Sequence, residues 1–175
     1  MQNLNYGVIG NCSTAALISE KGAIEWLCFP EFDSPSVFAA ILDRQKGGHF
    51  GFKVTSDYKV TQSYVPHTNI LSTHFESEEG AFDVVDFMPC YPTSDGKDFY
   101  RPAEIYRYIR WAKGRPRMKV DYRPAPNYAR GKTVYNVTSQ YVETYSSVEN
   151  KDRQYLYSSL DLKKVVNHDE ITLEK

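Results

Sequence analysis

Residues 11–42 read NCSTAALISEKGAIEWLCFPEFDSPSVFAAIL, and the fold of the chain is organised around them. Apolar residues alternate over 15–27 on either side of the segment Ser-Glu-Lys-Gly at 19–22. Because glycine adopts a positive φ at little cost, this pattern predicts a β-hairpin with its turn at Gly22. Residues 28–33 then carry two phenylalanines and a proline, which predicts a stiffened aromatic loop.

The segment after this loop predicts the one helix of the chain, over residues 34–43. Ser34 is a good N-cap, and Pro35 suits the first helical position because an N–H would have no partner there. Apolar side chains then recur at helical spacing, namely Val37, Phe38, Ile41 and Leu42. We expect this short helix to close one end of a β-sheet.

The composition favours an all-β protein. The chain has 175 residues, of which 41% are hydrophobic and 25% charged, as in ordinary globular proteins. It contains 14 Tyr, 9 Phe and 2 Trp, and aromatic rings pack well on pleated sheets. This length suits one domain, so we expect residues 1–175 to form a single β-sandwich.

Apolar residues recur with period two through most of the remaining chain. The predicted strands are residues 6–9, 49–54, 58–64, 70–76, 81–87, 105–111, 118–122, 134–145 and 155–160. Many short strands separated by turn residues are typical of an antiparallel sandwich. A last predicted strand at 165–175 has no turn after it. We therefore expect an exposed sheet edge there, with self-association of the isolated domain or continuation into a longer protein.

Charge and cysteine content exclude several classes of function. A formal net charge of −1 offers no field that would attract nucleic acid or a membrane surface. The basic run at 107–119 alternates with apolar residues, and we interpret it as the solvated face of a hairpin. Three cysteines without paired spacing argue against a disulfide framework or a zinc site. We therefore predict no metal, no cofactor and a cytoplasmic location.

Few residues point to catalysis. The 4 histidines are scattered, without the spacing of metal ligands. Asp83 and Asp86 stand three apart in one predicted strand and hence on opposite faces, so they cannot work as a paired acid and base. The aromatic loop can present Glu31 and Asp33, although Asp33 also suits a helix N-terminus. We predict no catalytic residue in this chain.

Six segments of the sequence resemble the N-terminal domain of bacterial and archaeal glucoamylases and trehalases of glycoside hydrolase family 15. They are residues 9–19, 22–30, 32–39, 64–71, 84–89 and 124–131. The resemblance covers roughly residues 4–131. Three positions depart from the family pattern. Glu31 stands where arginine is common, His67 where an acidic residue is common, and Asn127 where an aspartate is common.

The resemblance implies an antiparallel β-supersandwich of the galactose-mutarotase-like kind. In the family this domain precedes a helical (α/α) toroid, which carries two catalytic glutamates and hydrolyses terminal α-linked glucose with inversion. Neither catalytic segment lies within the 175 residues. The resemblance therefore implies a non-catalytic domain. Its partners would be its own C-terminal catalytic domain and an oligosaccharide or disaccharide of glucose.

We predict that the aromatic loop faces the catalytic domain and forms a rim of the substrate entrance. The predicted contact residues are Trp26, Phe32 and Asp33, with Glu31 as the position that differs from relatives. A competing interpretation makes Trp26 and Phe32 core anchors of the hairpin and the helix.

Two other classes of function stay open. A free-standing carbohydrate-binding module would need a row of exposed aromatic side chains. An enzyme of the mutarotase type would need a histidine and a carboxylate that converge in a cleft, and His74 with Glu76 on one strand face is the candidate pair.

Overall fold

The computed structural model describes residues 4–148 and 152–175. Within these ranges the chain forms sixteen strands and one short helix. The strands are β1 (Tyr6–Gly10), β2 (Ala15–Ser19), β3 (Ile24–Cys28), β4 (Ser36–Phe38), β5 (His49–Val54), β6 (Lys59–Tyr64), β7 (Leu71–Glu76), β8 (Gly80–Phe87), β9 (Tyr91–Pro92), β10 (Phe99–Tyr100), β11 (Tyr106–Gly114), β12 (Arg117–Arg123), β13 (Thr133–Val137), β14 (Val142–Ser146), β15 (Gln154–Leu156) and β16 (Ile171–Thr172). The helix is α1 (Leu162–Asn167).

The strands pair antiparallel and form two main sheets. The first sheet has the order β1-β2-β3-β5-β12-β16, with β4 paired to β3. The second sheet has the order β11-β8-β7-β6. A smaller sheet contains β13, β14 and β15, and β9 pairs with β10. The predicted all-β antiparallel sandwich is confirmed.

The inner faces of the two main sheets share a hydrophobic core. Side chains that are at most 1% exposed come from both sheets, namely Ile9, Ile18, Ile24, Leu71, Phe75, Phe82 and Val84. The rings of Phe75 and Phe82 stack with their centroids 4.7 Å apart. Removing this apolar surface from water is the main favourable contribution to folding.

The hairpin predicted over residues 15–27 is confirmed as β2 and β3. Gly22 has a φ of 74° in its turn, and its N–H donates to the Ser19 carbonyl at 2.8 Å. A β-bulge leaves Glu25 as an extra residue in β3. This extra residue places Trp26 on the face of the sheet opposite the core.

The helix predicted over residues 34–43 is wrong. Ser36–Phe38 form the buried strand β4, which pairs with β3 on one side. On the other side, the N–H of Ala125 donates to the Val37 carbonyl at 2.9 Å. Leu42, which was expected on the buried face of the helix, is 74% exposed. Hydrogen bonds from distant segments therefore outweigh the local helical spacing.

The C-terminal part also differs from its prediction. Residues 134–145 do not form one strand, because they fold into the antiparallel pair β13 and β14. The segment predicted as a strand at 165–175 begins instead within α1. Asp161 is the N-cap of this helix and accepts a hydrogen bond from the N–H of Lys163 at 2.9 Å. What remains of the predicted strand is β16, which pairs with β12.

The basic run at 107–119 is not the solvated face of a hairpin. Its first half lies in β11 of the second sheet and its second half in β12 of the first sheet. The side chain of Arg107 is 4% exposed and forms an ion pair with that of Asp86, which is 0% exposed. The guanidinium also donates to the carbonyls of Gly22 and Phe50 in the first sheet. Arg107 thus joins the two sheets through the core.

A second polar cluster lies in the first sheet around Asp121, whose side chain is 4% exposed. Its carboxylate accepts hydrogen bonds from His49 at 2.8 Å, Lys53 at 2.9 Å and Arg123 at 2.6 Å. His168, the C-cap of α1, lies 3.7 Å from the same carboxylate. Burial by itself would raise the pKa of Asp121, but these hydrogen bonds dominate and hold that pKa well below its usual range.

We expect the Asp121 cluster to make the chain sensitive to acid. Its pKa is lower in the folded state than the unfolded value of about 3.9, so its stabilising effect is complete above about pH 4. The effect is lost as the pH falls through the folded-state pKa. Urea unfolding over a pH series should therefore show a falling free energy of unfolding. An Asp121→Asn variant should be less stable at neutral pH by about 1–3 kcal/mol and should show a shallower fall. If the free energy of unfolding of that variant falls as steeply with decreasing pH as that of the unchanged chain, the Asp121 cluster is not the cause of the acid sensitivity.

Candidate functional site

The aromatic loop after β3 is held by hydrogen bonds at two points. The N–H of Phe32 donates to the Ser13 carbonyl at 3.0 Å. The N–H of Glu31 donates to the Ser34 hydroxyl at 3.0 Å. The side chains of Glu31 and Asp33 are exposed, and Phe32 is 62% exposed. The loop therefore presents an apolar ring between two carboxylates on a fixed backbone.

Trp26 stands apart from the exposed loop, on the outer face of the first sheet. It pairs across strands with Leu17, and Leu17 pairs with Val8. Val8 is 45% exposed, while Leu17 and Trp26 are half-buried. These three side chains form an apolar row on the face opposite the core. The other three predicted contact residues stay together in the loop.

The competing interpretation of a core anchor is wrong for Phe32, because a side chain that is 62% exposed is not in a core. Trp26 is half-buried, but it lies on the opposite side of the sheet from Ile18 and Ile24. The alternative role of Asp33 at a helix N-terminus also fails, because residues 34–43 form no helix. The loop carboxylates are thus left facing solvent.

Asn11, which sequence reasoning missed, fixes the base of the loop. It is 1% exposed, and its Oδ1 accepts from the N–H groups of Ser13 and Thr14, each at 3.1 Å. Its Nδ2 donates to the Pro102 carbonyl at 3.0 Å. The Thr14 hydroxyl donates to the Cys28 carbonyl at 2.5 Å. Asparagine that binds the backbone two residues on is typical of an Asx turn, so the turn could have been predicted.

His74 and Glu76, the pair considered for a mutarotase-type reaction, lie on the outer face of the second sheet. His74 Nε2 is 4.0 Å from Glu76, whereas His74 Nδ1 is 2.7 Å from Asp83. Asp83 also accepts from Arg110 at 2.8 Å. Burial by itself would raise the pKa of Asp83, but His74 and Arg110 hold that pKa below its usual value. The arrangement is a surface ion-pair network, and Asp86 lies on the opposite face of β8, as predicted.

Among residues 4–148 and 152–175, no three His, Cys, Asp or Glu side chains are grouped so that they could hold a metal ion. These same ranges contain no helix with the length and apolar character that crossing a membrane requires. The three cysteines are free, with Cys28 buried and Cys12 and Cys90 exposed.

Comparison with known proteins gives a family match. A family model described as trehalase-like, N-terminal, matches residues 5–151. A trehalase of Thermoplasma volcanium is 35% identical over 132 residues, which are 74% of this chain and 20% of that protein. A protein named trehalase 1, from Sulfolobus acidocaldarius, is 51% identical over 85 residues, or 47% of this chain and 14% of that protein. A trehalase of Mycolicibacterium smegmatis is 40% identical over 95 residues, or 52% of this chain and 14% of that protein.

The chain therefore spans about a fifth or less of the length of the curated relatives that it matches. The residues matched by the family model include Asn11, Trp26 and the whole aromatic loop. A comparison with solved structures finds no match.

Proposed function

Because the chain belongs to the trehalase-like N-terminal family, we propose that it is a non-catalytic N-terminal domain of an inverting glycoside hydrolase of the trehalase or glucoamylase type. In this proposal the chain is one β-sandwich domain, which packs on a C-terminal catalytic domain of glycoside hydrolase family 15. The relatives support this proposal, because four-fifths of the Thermoplasma volcanium trehalase lies outside the matched part. The complete protein cleaves a disaccharide or oligosaccharide of glucose in the cytoplasm, where free cysteines persist.

The observation that carries the docking proposal is Phe32, which is 62% exposed on a fixed loop. Covering an exposed apolar ring with a partner surface is favourable, and aromatic rings are frequent anchors of protein interfaces. The hydrogen bonds to Ser13 and Ser34 hold the loop in place, so little conformational entropy is lost on docking. Glu31 and Asp33 flank the ring and favour a partner surface that carries lysine or arginine.

The apolar row of Val8, Leu17 and Trp26 supports a second contact with the catalytic domain. Trp26 lies in β3, which is the strand that leads into the aromatic loop. A half-exposed row of this kind on an outer sheet face is stabilised when another surface covers it. We therefore place the interface along the loop and the outer side of β1–β3.

A chimeric enzyme tests this proposal. The matched N-terminal segment of the Thermoplasma volcanium trehalase is replaced by this chain, and glucose release from trehalose is measured. We expect the chimera to release glucose. When the chain and the remainder of that trehalase are produced separately, Phe32→Ala should weaken their association by at least about tenfold, as expected for an anchor residue.

Tyr157→Ala is the matched control, because this side chain is 67% exposed and lies outside the proposed interface. It should leave both glucose release and association unchanged. A folded chimera that releases no glucose would refute the proposed function. If Phe32→Ala does not weaken the association between the chain and the remainder of the trehalase, the aromatic loop is not part of the interface.

A further inference from the structure

A concave aromatic site lies where the second sheet meets the β9–β10 pair, and we call it the aromatic cleft. Its volume is about 370 Å³. This value is at the small end of the usual range for ligand pockets, about 300–1,000 Å³. Its lining includes four rings, a proline and a carboxylate, namely Phe87, Tyr91, Tyr100, Tyr106, Pro102 and Glu104.

Two pairs of rings on neighbouring strands line this cleft. Phe87 and Tyr106 are opposite each other in β8 and β11, and their rings are parallel within 7°, with centroids 5.1 Å apart. Tyr91 and Tyr100 are opposite each other in β9 and β10, with ring centroids 5.3 Å apart. The three tyrosines are 48% to 53% exposed. The Phe87 and Tyr106 rings stack, whereas the Tyr91 and Tyr100 rings are tilted by 56°. In both pairs the exposed tyrosine surface is open to a ligand.

Hydrogen bonds connect the aromatic cleft to the aromatic loop. Pro102, in the cleft lining, accepts from the Asn11 side chain at 3.0 Å. Asn11 accepts from the Ser13 N–H at 3.1 Å, and the Ser13 carbonyl accepts from the Phe32 N–H at 3.0 Å. Because Asn11 is 1% exposed, this connection is built into the fold. A partner domain that covers Phe32 would therefore lie at the same end of the molecule as the cleft.

The polar groups of the cleft discriminate between classes of ligand. Glu104 accepts a hydrogen bond from the Tyr106 hydroxyl at 3.0 Å, and its negative charge repels an anionic ligand. A wholly apolar ligand would take this carboxylate and the tyrosine hydroxyls out of water. The hydrogen bonds that they make to water, beyond the one between Tyr106 and Glu104, would then be lost without replacement, which is costly. A neutral sugar avoids both problems. Its C–H faces cover the aromatic rings, and its hydroxyls donate to the carboxylate.

We propose that the aromatic cleft binds a neutral disaccharide or oligosaccharide of glucose. The sugar class follows from the cleft lining, whereas the choice of glucose rests on the proposed function. In the complete protein, the cleft then makes the sugar contacts that the sequence predicted for Trp26, Phe32 and Asp33.

The test uses the 175-residue chain with trehalose and maltose as probes. Binding is measured by NMR chemical shifts and by calorimetry. We expect saturable binding of at least one probe, with a Kd on the order of 1 mM, as for a sugar held by a few contacts. Tyr100→Ala should raise this Kd by about tenfold or more, because it removes one wall of the cleft. Saturation by neither probe would overturn the proposal.

Matched variants make the test specific. Tyr157→Ala removes an equally large exposed ring outside the cleft and should leave the Kd unchanged. An equal loss of affinity in both tyrosine variants would overturn the proposal. Glucuronic acid should bind more weakly than glucose to the unchanged chain, and Glu104→Gln should remove that difference. If Tyr100→Ala does not fold, the isosteric Glu104→Gln variant tests the cleft instead. An unchanged preference for glucose over glucuronic acid in that variant would exclude the cleft as the binding site.

The outcomes separate this inference from the proposed function. Sugar binding is measured on the chain alone, so an inactive chimera would refute the proposed function and leave the cleft result intact. Conversely, if the chimera releases glucose while the chain binds neither trehalose nor maltose, sugar binding in the cleft is refuted and the proposed function is not. If Tyr100→Ala impairs association with the catalytic part and no sugar binds, the cleft is part of the docking surface and the inference is wrong.

Discussion

We expect an Arg107→Met variant to lose about 3–5 kcal/mol of its free energy of unfolding, because the exchange leaves a buried carboxylate without its partner. Arg107 donates to Asp86 at 2.8 Å and 3.1 Å. Its guanidinium also lies 4.8 Å from the ring centre of Phe50 and 5.0 Å from that of Phe52. Because it reaches the carbonyl of Gly22 as well, its loss removes contacts between the second sheet and the hairpin of the first.

Chemical denaturation at constant pH measures this effect as a shift of the midpoint. Arg110→Met is the control, because Arg110 lies in the same strand and pairs with Asp83, but its side chain is 61% exposed. Its loss should cost no more than about 1 kcal/mol. A double variant with Arg107→Leu and Asp86→Leu should be more stable than a variant with either of these exchanges alone. The reason is that the double variant contains no unpaired buried charge. An Arg107→Met variant as mild as Arg110→Met would show that the pair does not hold the sheets together.

Phe82→Ala should destabilise the chain by a similar amount, about 3–5 kcal/mol, because it leaves a cavity in a close-packed core. Phe82 is 0% exposed. Its ring stacks on Phe75 within 3° and lies 6.1 Å from the ring of Tyr58. The exchange removes both ring contacts and the apolar burial at the centre of the sandwich.

Phe32→Ala supplies a control with the same chemical change at an exposed site. It should alter the free energy of unfolding by no more than about 0.5 kcal/mol, because Phe32 makes no core contact. Urea denaturation of both variants gives the comparison, and the dependence on denaturant should stay unchanged. Equal destabilisation by the two exchanges would mean that the loop ring is part of the folded core.

Local sequence patterns were sufficient for the hairpin and for most strands. The hairpin over residues 15–27 depends on alternating apolar side chains and on a glycine that tolerates positive φ, and both are visible in sequence. The aromatic loop was also predictable, because Pro30 and the acidic residues beside Phe32 oppose regular structure there. Its exposure follows from the same polar residues.

The rest of the candidate site depends on residues that are far apart in the chain. Asn11 and Pro102 are 91 residues apart, and their hydrogen bond has no local signal. Tyr100 and Tyr106 come together with Phe87 only because β9 pairs with β10 and β8 pairs with β11. Sequence reasoning therefore found the exposed loop and missed the cleft beside it.

The amino-acid sequence by itself determined the all-β class and the β2–β3 hairpin, because short-range periodicity and turn residues carry that information. The resemblance of its segments to known relatives indicated the family. The tertiary structure decided that Ser36–Phe38 form a strand, since the N–H that binds Val37 comes from distant Ala125. It also decided that Arg107 lies inside the sandwich, because its partners belong to both sheets. Burial and hydrogen-bond partners are properties of the assembled sheets, and a local pattern of residue types does not contain them.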